Sequence, residues 1–108
     1  GKLVSFPLDT KKIAGQRLVL SADVRTDVER SAASWLGAKL MISGKQADAP
    51  FYSRTPLPQG KNGWHSVRYV VDIPYDLQNA RLTLGIQKSK GTVQYRNVRN
   101  GTATASLI

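Results

Sequence analysis

The chain has 108 residues, with 16 Lys and Arg against seven Asp and Glu and one His, a formal net charge of +9. One core can hold a chain of this length, so residues 1–108 are expected to form a single domain. The absence of cysteine excludes disulfides, thiolate metal sites and thiol catalysis.

Taken in chain order, the dominant pattern is period-two alternation of apolar and polar side chains. "KLVSFPL" offers Val4, Phe6 and Leu8 as a first row. "QRLVLSADVR" sets Leu18, Leu20, Ala22 and Val24 on one face and Arg17, Val19, Ser21, Asp23 and Arg25 on the other. The segment "TDVERSAASWLGAKLM" carries two readings. Thr26 and Glu29 have the spacing of a capping box, with Val28, Ala32, Leu36 and Leu40 at helical intervals, which suits a helix over residues 27–41. "AKLMISG" also alternates, placing Ala38, Leu40 and Ile42 inward. We favour a polar loop through Ser34 and a strand over residues 36–43, because the flanking chain reads as strand throughout.

Phe51 and Tyr52 follow Pro50 between two turn regions, where one ring is expected to anchor a loop and the other to point out. "GWHSVRYVVDIP" then gives an inward row of Val67, Tyr69, Val71 and Ile73 and an outward row of Ser66, Arg68, Val70 and Asp72. Trp64, just before this alternation, reads as a cap on the core. "ARLTLGIQ" repeats the device with Leu82, Leu84 and Ile86, and "GTVQYRNV" supplies Val93 and Tyr95. The tail "GTATASLI" suits a last strand or a frayed end equally. Turn residues at Ala14-Gly15, Pro56 to Gly60, Asn62-Gly63, Pro74 and Lys90-Gly91 separate the runs. Short alternating runs with regular turn signals predict an all-β sandwich.

Little in the sequence suits catalysis. His65 stands alone beside Trp64, no serine lies in a G-x-S-x-G elbow, and the acids are scattered rather than paired across a bond. The spacings of metal ligands and of phosphate-binding glycines are missing, so neither a catalytic residue nor a cofactor or metal is expected. Asn100-Gly101-Thr102 matches a glycosylation sequon, a match that chance explains. No apolar run approaches the roughly 18 residues of a membrane span.

A binding surface is the remaining reading. The positive excess favours polyanions, and it is uneven: beyond Asp76 there is no acid, while Arg81, Lys88, Lys90, Arg96 and Arg99 accumulate. Flat rings outside the core rows are candidates for stacking, namely Trp35 in the polar loop, Tyr52 and Tyr75. Outward polar residues that would join them are Arg25, Lys39, Arg68 and Gln87, with Val19, Met41 and Val70 as apolar members suited to a covered face.

"AGQRLVLSADVRT", "GWHSVRYVVDIP" and "ARLTLGIQKSKGTVQYRNV" together resemble three successive signatures of the family 4/9-type carbohydrate-binding modules, over residues 13–98. The resemblance implies a jelly-roll β-sandwich of two antiparallel sheets, like that of galactose-binding domains. It also implies a non-catalytic role within a larger secreted glycan-degrading enzyme. The family's opening segment, which often helps hold a structural calcium, is missing or abbreviated, and its Asp-Asn-Val reads Arg96-Asn97-Val98 here, so no calcium is expected. By location, Trp35 and Tyr52 would stack on sugar. The expected function is polysaccharide binding, leaning to acidic glycans, with arginine forks on carboxylate or sulfate. The alternative is a structural or interdomain sandwich contacting adjacent domains of a parent protein. Nucleic acid is disfavoured, since no aromatic-and-basic motif of a known reader is present.

Overall fold

The computed structural model describes residues 2–29, 37–55, 57–87 and 90–103. Seven strands and one short helix follow in the order β1 (Leu3–Pro7), α1 (Thr10–Ile13), β2 (Arg17–Val28), β3 (Gly37–Gln46), β4 (Ala49–Arg54), β5 (Gly60–Asp72), β6 (Leu77–Gln87) and β7 (Gly91–Ala103). Two antiparallel sheets form, ordered β1-β6-β3-β4 and β5-β2-β7. The partners β1·β6, β2·β5 and β3·β4 nest as in a long hairpin rolled on itself, the wrap of a jelly-roll β-sandwich. No described helix is long and apolar enough to cross a membrane.

The alternation explains the core directly. Leu18, Leu20 and Val24 of β2 are completely buried against Leu40 and Ile42 of β3 and Leu82 of β6, since every second residue of a strand faces the opposite sheet. Val67 and Tyr69 join half-buried, while Val71 and Ile73 are buried. Two phenols tie the layers. The Tyr69 hydroxyl meets Ser53 of β4. Tyr95 of β7 reaches across to donate to the Lys39 carbonyl at 2.5 Å and accepts the Gly85 N–H at 3.1 Å. Burial raises the pKa of both tyrosines. These bonds set β5 over β4 and β7 over β6 and β3, so among the described residues β1 has no strand opposite it.

Several sequence expectations change. Residues 27–41 form no continuous helix, because Asp27 and Val28 end β2 and Gly37–Met41 open β3; residues 30–36, including Trp35, lie outside the described residues. Phe51 and Tyr52 sit on edge strand β4 rather than in a loop, although the division between an anchored Phe51 and an outward Tyr52 holds. Asn62-Gly63 makes no turn. It lies inside β5 at a register shift, where Gly63 and Trp64 together oppose Arg25, a β-bulge. Val4 and Phe6 do face inward, yet they remain 45% and 49% exposed, because no described strand covers β1. The helix α1 lies just before the Ala14-Gly15 turn, in a segment for which the sequence predicts no element. It is four residues long, too short for apolar periodicity to register, and its Thr10 hydroxyl accepts the Ala80 N–H.

Removing buried methyl groups leaves a cavity that the packed sheets fill poorly, so Leu20→Ala or Leu40→Ala is expected to cost about 2–5 kcal/mol. Val70→Ala, on the outer face of β5, should stay within about 0.5 kcal/mol. Urea unfolding followed by tryptophan fluorescence measures both. A larger loss at Val70 than at Leu40 would invert the assignment of faces.

Candidate functional site

The three-stranded sheet turns a polar face to solvent, and its register fixes which residues meet there. Arg17 stands beside Asp72, Val19 beside Val70, Ser21 between Arg68 and Arg99, and Asp23 between Ser66 and Arg96. Arg25 follows beside Gln94. This face therefore contains the entire outward row of "GWHSVRYVVDIP".

Two bulges shape its centre. In β5 Trp64 continues the outward row of Ser66 and Arg68 at period two instead of capping the core, and the extra residue beside Arg25 brings Gly63 to the surface next to it. In β7 the register shift beside Ala22 places two residues, Asn97 and Val98, against one. Asn97 adopts φ 54°, a left-handed conformation that asparagine tolerates better than most residues. Its amide Nδ2 donates to Asp23 Oδ2 at 2.9 Å.

Asp23 is the hub of the face. Ser66 Oγ donates to its Oδ1 at 3.0 Å, and Arg96 Nε lies 3.5 Å from Oδ2. The hydrogen bonds from Asn97 and Ser66, and then the Arg96 charge, hold its carboxyl below the usual range. Arg96 in turn lies over the Trp64 ring, with Cζ 4.0 Å from the centroid, a cation–π contact of about 0.5–1 kcal/mol at an exposed site. One carboxylate on the central strand thus fixes groups from both neighbours. At the far end, Arg17 donates to Asp72 at 2.8 Å, and this partner lowers the Asp72 pKa.

Arg25, Arg68 and Arg99 differ from Arg96, since among the described residues none of the three has a carboxylate or hydrogen-bonding partner. Arg68 and Arg99 line a depression of about 490 Å³ with Ser21, Ser66 and Asn97. A second depression, of about 500 Å³, is lined by Arg25, Lys61 and Gln94. Adjacent strands are about 4.8 Å apart, so Arg68 and Arg99 start roughly 10 Å apart across the sheet.

The structure divides the sequence candidates. Arg25 and Arg68 share this face. Tyr52, 67% exposed, lies on β4 of the other sheet, and Gln87 pairs through its backbone with Gly37 in that sheet. Lys39 is not part of an exposed row: it is 3% exposed, and burial, then the nearby Arg54 charge, lowers its pKa. Trp35 falls outside the described residues. Trp64, Arg96 and Arg99 are the members missing from the sequence candidates. Trp64 and Arg96 continue the outward rows of Ser66 and Gln94 at period two, a signal that could have found them, whereas Arg99 lies beyond the β7 bulge that shifts its phase. His65 and Asp72 cannot form a Ser–His–Asp set, since His65 lies among the inward residues with Nδ1 3.0 Å from the Gly63 carbonyl and Asp72 faces outward on Arg17. No cluster of three His, Cys, Asp or Glu able to hold a metal occurs among the described residues.

Compared with known proteins, the chain matches no protein-family model and no curated protein. The resemblance to carbohydrate-binding modules accordingly rests on the three quoted segments.

Asp23 gives this site a pH signature. An unfolded aspartate titrates near about 3.9. The folded value is lower, so between the two the unfolded chain holds more protons and stability rises with pH. Asp72 acts in the same sense. Stability should be level above about pH 5 and fall through the acid range, and Asp23→Asn should flatten part of that fall. Urea midpoints at a series of acid pH values measure it; an unchanged slope in Asp23→Asn would remove Asp23 from its role as hub.

Proposed function

We propose that this β-sandwich is a non-catalytic carbohydrate-binding module for polysaccharides that carry acidic groups, belonging to a larger secreted glycan-degrading protein. The observation that carries the reading is the face of β5, β2 and β7, where Arg25, Arg68 and Arg99 have no ion-pair partner among the described residues and stand beside a fixed indole. Guanidinium forks match the geometry of carboxylate and sulfate and hold them in a bidentate way. Trp64 supplies a flat ring with few rotamers to lose on binding, and Arg96 keeps that ring in place. Ser21, Ser66 and Gln94 add neutral hydrogen-bonding groups suited to sugar hydroxyls. Such a surface binds and orients a chain; it performs no chemistry.

The alternative, an interdomain sandwich with no ligand of its own, is favoured by one separate observation, the uncovered apolar side chains of β1.

Retention on immobilised heparin, on a neutral glucan and on single-stranded DNA tests the proposal. Heparin is expected to hold the protein more strongly than either other matrix. Retention should weaken as salt rises, since screening shortens to about 8 Å at physiological ionic strength. The double variant Arg68→Ala/Arg99→Ala should bind at least about tenfold more weakly, or about 1.4 kcal/mol, with unchanged thermal stability. Equal retention on neutral glucan at high salt, or stronger retention on DNA, would overturn it.

A further inference from the structure

We propose that the open edge between β7 and β1 is a docking site for an extended segment of another polypeptide, one in which apolar residues alternate with acidic ones. This goes beyond glycan binding and uses a different surface. Sheet β1-β6-β3-β4 has four strands and sheet β5-β2-β7 has three. Tyr95 and Tyr69 align the layers so that the fourth strand, β1, has no described strand opposite. The vacant position lies beside β7, where one more strand would both extend the smaller sheet and cover β1.

Three observations define the occupant. First, β7 pairs only with β2, so the backbone groups along its second edge have no ladder partner among the described residues. Unpaired edges of this kind accept an added strand through main-chain hydrogen bonds. The bulge at Asn97 ends the straight part of the edge, leaving residues 91–96 to pair. Second, those residues border a cleft of about 790 Å³ lined by Val4, Phe6, Val93 and Tyr95. Side chains on one face of an incoming strand would enter it, so every second residue of the partner should be apolar. Third, Lys2 and Lys90 are the charged residues lining the cleft, and the protein carries +9 overall. The partner's alternate residues should therefore be acidic. A second copy suits the edge poorly, since pairing β7 with itself would bring two sets of Arg96 and Arg99 together between two strongly positive chains.

The test uses fluorescence anisotropy with short labelled peptides. One alternates Val and Glu, a second alternates Val and Lys, and two more are Val–Glu peptides N-methylated on every Val or on every Glu. The Val–Glu peptide is expected to bind at least about tenfold more tightly than Val–Lys. Because the cleft fixes which face the valines occupy, one N-methylated form should lose binding and the other should keep it. Phe6→Ser should weaken binding comparably while Arg68→Ala leaves it unchanged. Slowed hydrogen exchange at amides 91–96 reports the strand itself and remains readable if Phe6→Ser proves unstable. Equal binding of the Val–Glu and Val–Lys peptides, full competition by polyglutamate, indifference to both N-methylations, or a dimer joined through β7 would each overturn the proposal.

Discussion

The exposed face of the smaller sheet depends on a single carboxylate. Asp23 lies on the central strand β2, and its two oxygens collect Ser66 from one side and Asn97 and Arg96 from the other. Without that negative charge, Arg96 would have no anchor beside the Trp64 ring, and the arginines at the centre of the face would have only Asp72, held by Arg17, and Asp27 at its two ends to offset their repulsion. The polar face is ordered by one charge-assisted cluster rather than by burial. That suits a binding surface, because such a cluster holds its neighbours in place while leaving the flanking guanidinium groups available to a ligand.

Bulges are the means by which the fold arranges this cluster. A regular ladder in β7 would turn Asn97 inward with Ala22, whereas the bulge there lets its amide reach Asp23; in β5 the bulge brings Gly63 to the outer face beside Trp64. The two inserted residues, one in β5 and one in β7, lie on strands flanking β2 and within a few residues of Asp23. They also explain why the sandwich and its central strands were legible in the sequence while the site was only half legible. Alternation identified the rows of β2, β5 and β6 because both strand faces there differ sharply in polarity. Trp64 reads as a core residue from its place at the entry of the strand, although the row of Ser66 and Arg68 continued by two residues puts it outward. Arg99 escapes because the phase change at Asn97 is invisible to a period-two reading. Alternation also grouped Lys39 and Gln87 with Arg25, since pairing between strands distant in sequence leaves no local mark. Only the register shows that these residues belong to opposite sheets.

The two sheets have different roles. The smaller one offers a polar, positively charged outer face fixed by side-chain hydrogen bonds. The larger one carries the edge strand β1, whose Val4 and Phe6 have apolar surface to bury and, among the described residues, no strand to bury it against. A sandwich with four strands over three leaves one backbone edge and one apolar strip on the same side. Both deficits would be met by the same missing element. The proposed glycan surface and the open edge lie on different parts of β7, its outward side chains and its backbone edge, so occupation of one need not displace the other.

The central claim, that the outer face of β5, β2 and β7 holds an acidic glycan, is tested most directly by mapping a sulfated oligosaccharide onto the folded protein by NMR. Titration should shift the Trp64 indole N–H and the backbone amides around Ser21, Arg68 and Arg99, and leave those of β4 around Tyr52 in place. Shifts centred on Tyr52, or none on either sheet at concentrations that saturate retention, would contradict it.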